Sequence, residues 1–144
     1  MTSPRPNGVV DPERLSRLLR RVTDDLTVLT TYGAVPPDDL ADDAVRLGHV
    51  KYVFVTLLEA CVDAAQHVCA SQGYGPPATN ADAVLLLARH GLLDEDVADA
   101  MAQAVRFRNL LVHGYAEVDD RRVVAYLQAL EDVAAYVATL TRLL

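Results

Sequence analysis

The chain has 144 residues, enough for one domain whose core needs neither a disulfide nor a metal to hold it. Its 13 Lys and Arg against 20 Asp and Glu leave a net charge of −7, which excludes a protein that coats nucleic acid or an anionic membrane through a broad basic face. Hydrophobic residues at 51% and charged residues at 23% exclude a disordered chain.

Residues 1–10 read as a Pro-containing tail without order, and 11–144 as a single helical domain. The first fourteen residues lack the apolar run of a signal peptide, so a cytoplasmic location is expected. Asp11-Pro12-Glu13 is a helix start, with an Asp cap, a proline at the first helical position and then an acid. Leu15, Leu18, Leu19, Val22, Leu26 and Leu29 follow as one apolar stripe, and Tyr32 to Pro37 ends it. A second helix is predicted over Asp38 to Gln72, with a kink near Gly48. It is apolar on most sides from Val50 to Val68, so more than one neighbour must cover it. Thr56, Glu59, Asp63 and His67 form a polar seam along it, read either as a solvent face or as part of a site. Together with Gln66 they interrupt the apolar run from Tyr52 to Ala70, which argues against a membrane span.

Thr79 or Asn80 caps a short helix through Leu85–Leu87 that Gly91 stops. Asp94-Glu95-Asp96 opens another, with its acids where the helix dipole favours them, running to about His113. Asp119 or Asp120 caps a last helix with the stripe Val123, Leu127, Leu130, Val133, Val137, Leu140 and Leu144. No segment alternates with the period of a strand. The prediction is an all-α, up-and-down bundle with one or two short extra helices. Cys61 and Cys69, eight residues apart on one helix, lie about 12 Å from each other, too far for a bridge. They read as two core thiols.

No phosphate-binding glycine loop, zinc-protease motif or nucleophile elbow occurs, and four scattered histidines give no metal site. One cluster remains, Arg106-Phe-Arg108-Asn109-Leu-Leu-Val-His113-Gly-Tyr115, where a helix ends in a turn. Composition alone yields about 0.3 chance matches to Arg-x4-His in such a chain, and about 0.01 once Tyr115 is required. Cleaving RNA by attack of a 2′-hydroxyl on its own phosphate needs a proton acceptor, a proton donor and a cation for the crowded phosphorane. Histidine can take or give a proton near neutrality, and arginine presents a planar fork to phosphate oxygens. Five residues of ideal helix turn about 500°, so Arg108 and His113 do not share a face. They converge only if the helix frays at Gly114 or if two chains share the site.

RNLLVHGY, with Arg108, His113 and Tyr115, resembles the R-x4-H-x-Y motif of the HepT toxins in the HEPN superfamily of small helical proteins. The likeness runs from about Asp11 to Leu144 and includes the EACVDAAQHV and ARHGLLDED segments. Gly114 departs from the acidic residue of many relatives. The resemblance implies a HEPN-type bundle, a homodimer, and a metal-independent endoribonuclease without cofactor, acting on transfer RNA or another RNA. It implies a minimal nucleotidyltransferase antitoxin of the MntA type as partner, silencing the toxin by attaching AMP to Tyr115. Arg108 would hold the phosphate and His113 would act as acid and base, with Asn109, Arg106 and Asp63 in support. Two Arg108 and two Arg106 from a dimer would make a small cationic cleft on an otherwise acidic protein. The alternative expectation is a non-catalytic helical module that docks a nucleotidyltransferase, with Arg108 in a plain ion pair to Glu59 or Asp63.

Overall fold

A computed structural model describes residues 9–113 and 118–144, all of whose regular structure is helical. Seven helices follow in order: α1 Pro12–Gly33, α2 Pro37–Ala41, α3 Ala44–Gln72, α4 Asn80–Arg89, α5 Glu95–His113, α6 Asp120–Tyr126 and α7 Glu131–Thr141. The expected all-α bundle with short extra helices is what forms. Residues 1–8 and 114–117 lie outside the described part, and with them most of the predicted tail and the Gly114–Tyr115 turn.

The helix starts follow the local chemistry. The Asp11 carboxylate accepts from the amides of Glu13 and Arg14, and Thr79 and Asp119 cap α4 and α6 in the same way. In α1 the buried residues are Leu15, Leu19, Val22 and Leu29, one face of the predicted stripe, while Arg14, Arg17, Arg20 and Arg21 stay exposed. That face lies along α3, the centre of the bundle. α4 packs on both α3 and α5, and α7 bridges α1 and α5. Buried residues encircle α3, among them Leu47, Phe54, Leu58, Cys61, Val62, Ala65 and Cys69. By length and composition α3 could cross a membrane, but 67% of its most apolar window is buried inside the fold.

Two boundaries differ from expectation. The long second helix does not kink at Gly48; it breaks at Asp42 and Asp43, leaving α2 as a separate short turn. Asp43 caps α3, its carboxylate accepting from the Arg46 amide, and a short acid is favoured at a cap over a helix interior. Gly48 continues the helix because Leu47 and Val50 beside it are buried, and each such side chain contributes about 1.5–3 kcal/mol. The predicted single C-terminal helix is also two helices, bent by 49° between Tyr126 and Glu131. No proline or glycine breaks it. Leu127, Gln128 and Ala129 instead make tight i→i+3 bonds to Val124, Ala125 and Tyr126. The end of α1 lies against this corner, where the Gln128 side-chain amide donates to the Gly33 carbonyl. Past the corner the buried stripe shifts to Val133, Tyr136 and Leu140. The Tyr136 hydroxyl, fully buried, donates to the Cys61 carbonyl at 2.7 Å.

Both cysteines are free and buried, and burial raises both thiol pKa values, most for Cys61 beside the Asp25 charge. They belong to the core and make poor nucleophiles.

Two predictions follow from this packing. Beyond the adjacent residues and the backbone of its own helix, nothing lies within 4 Å of where a Gly48 Cβ would sit, so Gly48→Ala should stabilise the protein by about 0.5–1 kcal/mol in urea unfolding. His67 Nε2 accepts from the Asp11 amide at 3.0 Å, which requires the neutral ring. Desolvation, helped by the nearby Arg14 charge and opposed by Asp11, lowers its pKa below the usual 6.5. A depressed histidine stabilises the fold above the unfolded pKa and loses that contribution as pH falls through the folded value. Stability should therefore decline on acidification below 6.5, and His67→Gln should flatten that part of the pH profile.

Candidate functional site

The polar seam of α3 is not simply a solvent face. Three of its four members, and Gln66 beside them, bond to neighbouring elements. Thr56 donates to Asp25 of α1 at 2.7 Å, and His67 accepts from the Asp11 amide at the head of α1. Gln66 donates to Asn80 at the start of α4. Glu59 takes Nη2 of Arg108 on α5 at 2.7 Å.

That last bond shapes the site. Arg108 lies on the half-buried side of α5, and its side chain is only 15% exposed. Phe107, immediately before it, is buried against Tyr126 with ring centroids 4.6 Å apart, while the Arg122 guanidinium covers the same ring at 4.8 Å. This anchoring sets the rotation of α5 and turns residue 108 toward α3. Nη1 of Arg108 donates to Asn109 Oδ1 at 3.1 Å. Nε is buried and has no hydrogen-bond partner among the described residues. A cation this far out of water needs a counter-charge, and Glu59 supplies it.

Around this pair lies an open pocket of about 250 Å³, lined by Glu59, Val62, Asp63, Gln66, Asn80 and Arg108. Asp63, one helical turn beyond Glu59, faces the same space and is exposed. Of the two acids weighed as partners for Arg108, Glu59 makes the bond. Val62, Gln66 and Asn80 were not foreseen as site residues. The i, i+4, i+7 spacing of Glu59, Asp63 and Gln66 puts those three on one helix face and could have signalled the wall, but nothing local assigns Asn80 to it.

The other predicted residues are distributed along the end of α5. Arg106 is exposed, on a different side of α5 from Arg108. His113 is the last residue of α5 and is exposed, placed where a basic side chain meets the unpaired carbonyls of the helix end. Leu110 and Val112 beside it expose 47% and 43% of their surface, an apolar flank to the histidine. Within one chain Arg108 points into the pocket against α3, and His113 ends the helix in solvent. Tyr115 lies outside the described residues. Among the described residues no three His, Cys, Asp or Glu side chains gather as metal ligands.

The segment carrying these residues is tied to α3 on both sides. Glu59 holds Arg108 before the turn, and Lys51, two helical turns earlier on α3, pairs with Asp120 after it at 2.8 Å. The larger cleft between α2 and α6 carries Asp38, Asp42, Asp119 and Asp120 on its walls and is acidic. Among the described residues, Arg121 is the one cation on those walls, set against the four acids.

Residues 15–140 match the family model described as ribonuclease HepT-like. The "mRNA nuclease HepT" of Shewanella oneidensis is 35% identical over 80 residues, which cover 55% of this chain and 60% of that protein. The match thus spans less than two thirds of that relative's length. A tri-AMPylated Shewanella oneidensis HEPN toxin, solved in complex with an MNT antitoxin, superposes with a TM-score of 0.82 at 23% identity, over 90% of this chain and 97% of that one. The cytosolic protein YutE of Bacillus subtilis, of unknown function, superposes with a TM-score of 0.79 at 14% identity, over 91% of this chain and 88% of that one. At these identities the two structures establish a shared fold.

If Arg108 serves the pocket and not the fold, its removal should cost little stability. Its partner Glu59 is 43% exposed and regains water when left alone. Arg108→Ala is expected to shift the unfolding free energy by about 1 kcal/mol, measured by urea titration.

Proposed function

The chain belongs to the ribonuclease HepT-like family, and from that premise we propose that it is the toxin of a toxin–antitoxin pair, a metal-independent endoribonuclease acting through Arg108 and His113. The observation that carries the reading is the Arg-x4-His-x-Tyr motif, whose arginine sits on the wall of an open pocket at the end of the helix that His113 terminates. The relative named an mRNA nuclease supports RNA as the substrate class. Which RNA is cut, messenger or transfer, is set by features beyond these residues.

The chemistry assigns each group a task. The 2′-hydroxyl attacks the adjacent phosphorus, its proton passes to a base, and the leaving 5′-oxygen receives a proton from an acid. Arg108 offers a planar cation to the oxygens of the phosphorane, in a pocket where partial exclusion of water strengthens the attraction. His113, exposed at the helix end, is the proton-transfer group. One histidine per chain supplies half of an acid–base pair. A homodimer that brings two α5 ends together supplies both, and resolves the separation of Arg108 and His113 around one helix. The exposed Leu110 and Val112 suit burial in such a contact. Arg106 from each chain would add positive charge at the rim, with Asn109 and Asp63 supporting the pocket.

Tyr115, two residues beyond His113, is proposed as the site at which a minimal nucleotidyltransferase antitoxin attaches AMP. An adenylate there brings an anion that competes with RNA for Arg108. The HEPN toxin solved with its MNT antitoxin in a tri-AMPylated state supports this partner and this modification. The second reading, a non-catalytic module that docks the nucleotidyltransferase, draws on the engagement of Arg108 by the chain's own Glu59 and Asn109.

One comparison separates them. Purified protein should cleave RNA in the presence of EDTA, and His113→Ala should lose about 10³-fold or more in rate while keeping its helical circular dichroism. Equal cleavage by both proteins contradicts the assignment of His113. No cleavage by wild type, together with a stable nucleotidyltransferase complex, favours the docking module.

A further inference from the structure

We propose that Glu59 is a positioning residue for Arg108, fixing the plane of its guanidinium while reducing the pocket's attraction for RNA. The inference rests on the reading of Arg108 as the phosphate-holding group and adds a residue from outside the motif. Three observations carry it. The Glu59 carboxylate bonds Nη2 at 2.7 Å, and Asn109 bonds Nη1 at 3.1 Å. Nε is buried without a partner among the described residues. Both residues of the pair line the same open pocket.

A guanidinium is rigid and planar, so bonds at both terminal nitrogens define its orientation. Of its five N–H donors, two are committed to Glu59 and Asn109. The second hydrogens of Nη1 and Nη2 remain for an incoming phosphate, already aimed by the bonds that hold their nitrogens. Asn109 is a neighbour on the same helix and moves with Arg108. Glu59 belongs to α3, the helix at the centre of the bundle, so among the described partners it is the one that ties the arginine to another element. Its charge has the opposite effect on binding. Beside Arg108 it cancels the formal charge of the pair and repels a phosphodiester. Orientation and charge therefore separate by substitution: Glu59→Gln keeps an oxygen acceptor and removes the charge, whereas Glu59→Ala removes both.

The experiment measures kcat on a fluorogenic RNA for wild type, Glu59→Gln and Glu59→Ala, and the Kd of the same RNA for each in a His113→Ala background. Glu59 is 43% exposed at the side chain, and circular dichroism checks that each variant folds. Both variants should bind RNA about fivefold more tightly, by relief of one nearby negative charge. Glu59→Ala should lose about 10- to 100-fold in kcat through misorientation, while Glu59→Gln stays near wild type. Wild-type kcat in Glu59→Ala, equal losses in both variants, or RNA binding that does not tighten would each overturn the proposal. A wild type that leaves RNA intact contradicts the ribonuclease reading instead. The Nε–H resonance of Arg108 then decides the positioning separately. An ordered signal in wild type and Glu59→Gln that averages in Glu59→Ala supports it, and the same signal in all three overturns it.

Discussion

A helix that is apolar around most of its circumference cannot rest on a surface; it has to be enclosed. α3 imposes that condition on the chain, and the arrangement of the other helices answers it. What makes the enclosure specific is the small set of polar side chains that α3 retains. Lys51 reaches α6, Thr56 and His67 reach α1, Glu59 reaches α5, and Gln66 reaches Asn80 at the start of α4. Hydrophobic burial supplies the drive to cover α3, but it is nearly indifferent to rotation and sliding. Hydrogen bonds and ion pairs are directional, and they select among the ways of covering it.

The same constraint explains why the pocket beside Arg108 forms where it does. Arg108 is drawn largely out of water by the packing of α5 on α3, and the half-exposed Glu59 supplies the counter-charge that its burial requires. Because Glu59 is half exposed, the pair is open on one side, and that opening is the pocket shared with Asp63, Gln66 and Asn80. The fold thus presents a paired arginine on a protein whose net charge is negative. A net charge of −7 limits sequence-independent RNA binding without preventing a local contact with one phosphate.

Much of this was legible in the sequence. The capped starts at Asp11, Thr79 and Asp119, the α1 stripe and the all-helical class depend on local periodicity and capping, and they form as read. The break falls at Asp43 and not at Gly48, the more conspicuous local signal, because an isolated glycine costs only about 1 kcal/mol in a helix. The corner between α6 and α7 has no local signature. It is imposed by the end of α1 against Leu127 and Gln128, a contact between residues far apart in the chain. The motif was legible as a pattern, since Arg108, His113 and Tyr115 stand at fixed spacing. Its surroundings were not: the selection of Glu59 over Asp63, and the presence of Asn80, depend on how α5 and α4 rotate against α3.

The proposed reaction at the end of α5 is cleavage of RNA through the substrate's own 2′-hydroxyl, with Arg108 on the phosphate and His113 moving protons. The most direct measurement uses an RNA bearing a single 2′-deoxy nucleotide immediately 5′ to the bond that the protein cuts. Cleavage at that bond should stop, and the all-ribose substrate should yield a 2′,3′-cyclic phosphate and a 5′-hydroxyl. Cleavage of the deoxy-substituted bond at an undiminished rate, leaving a 5′-phosphate, would contradict the proposed reaction.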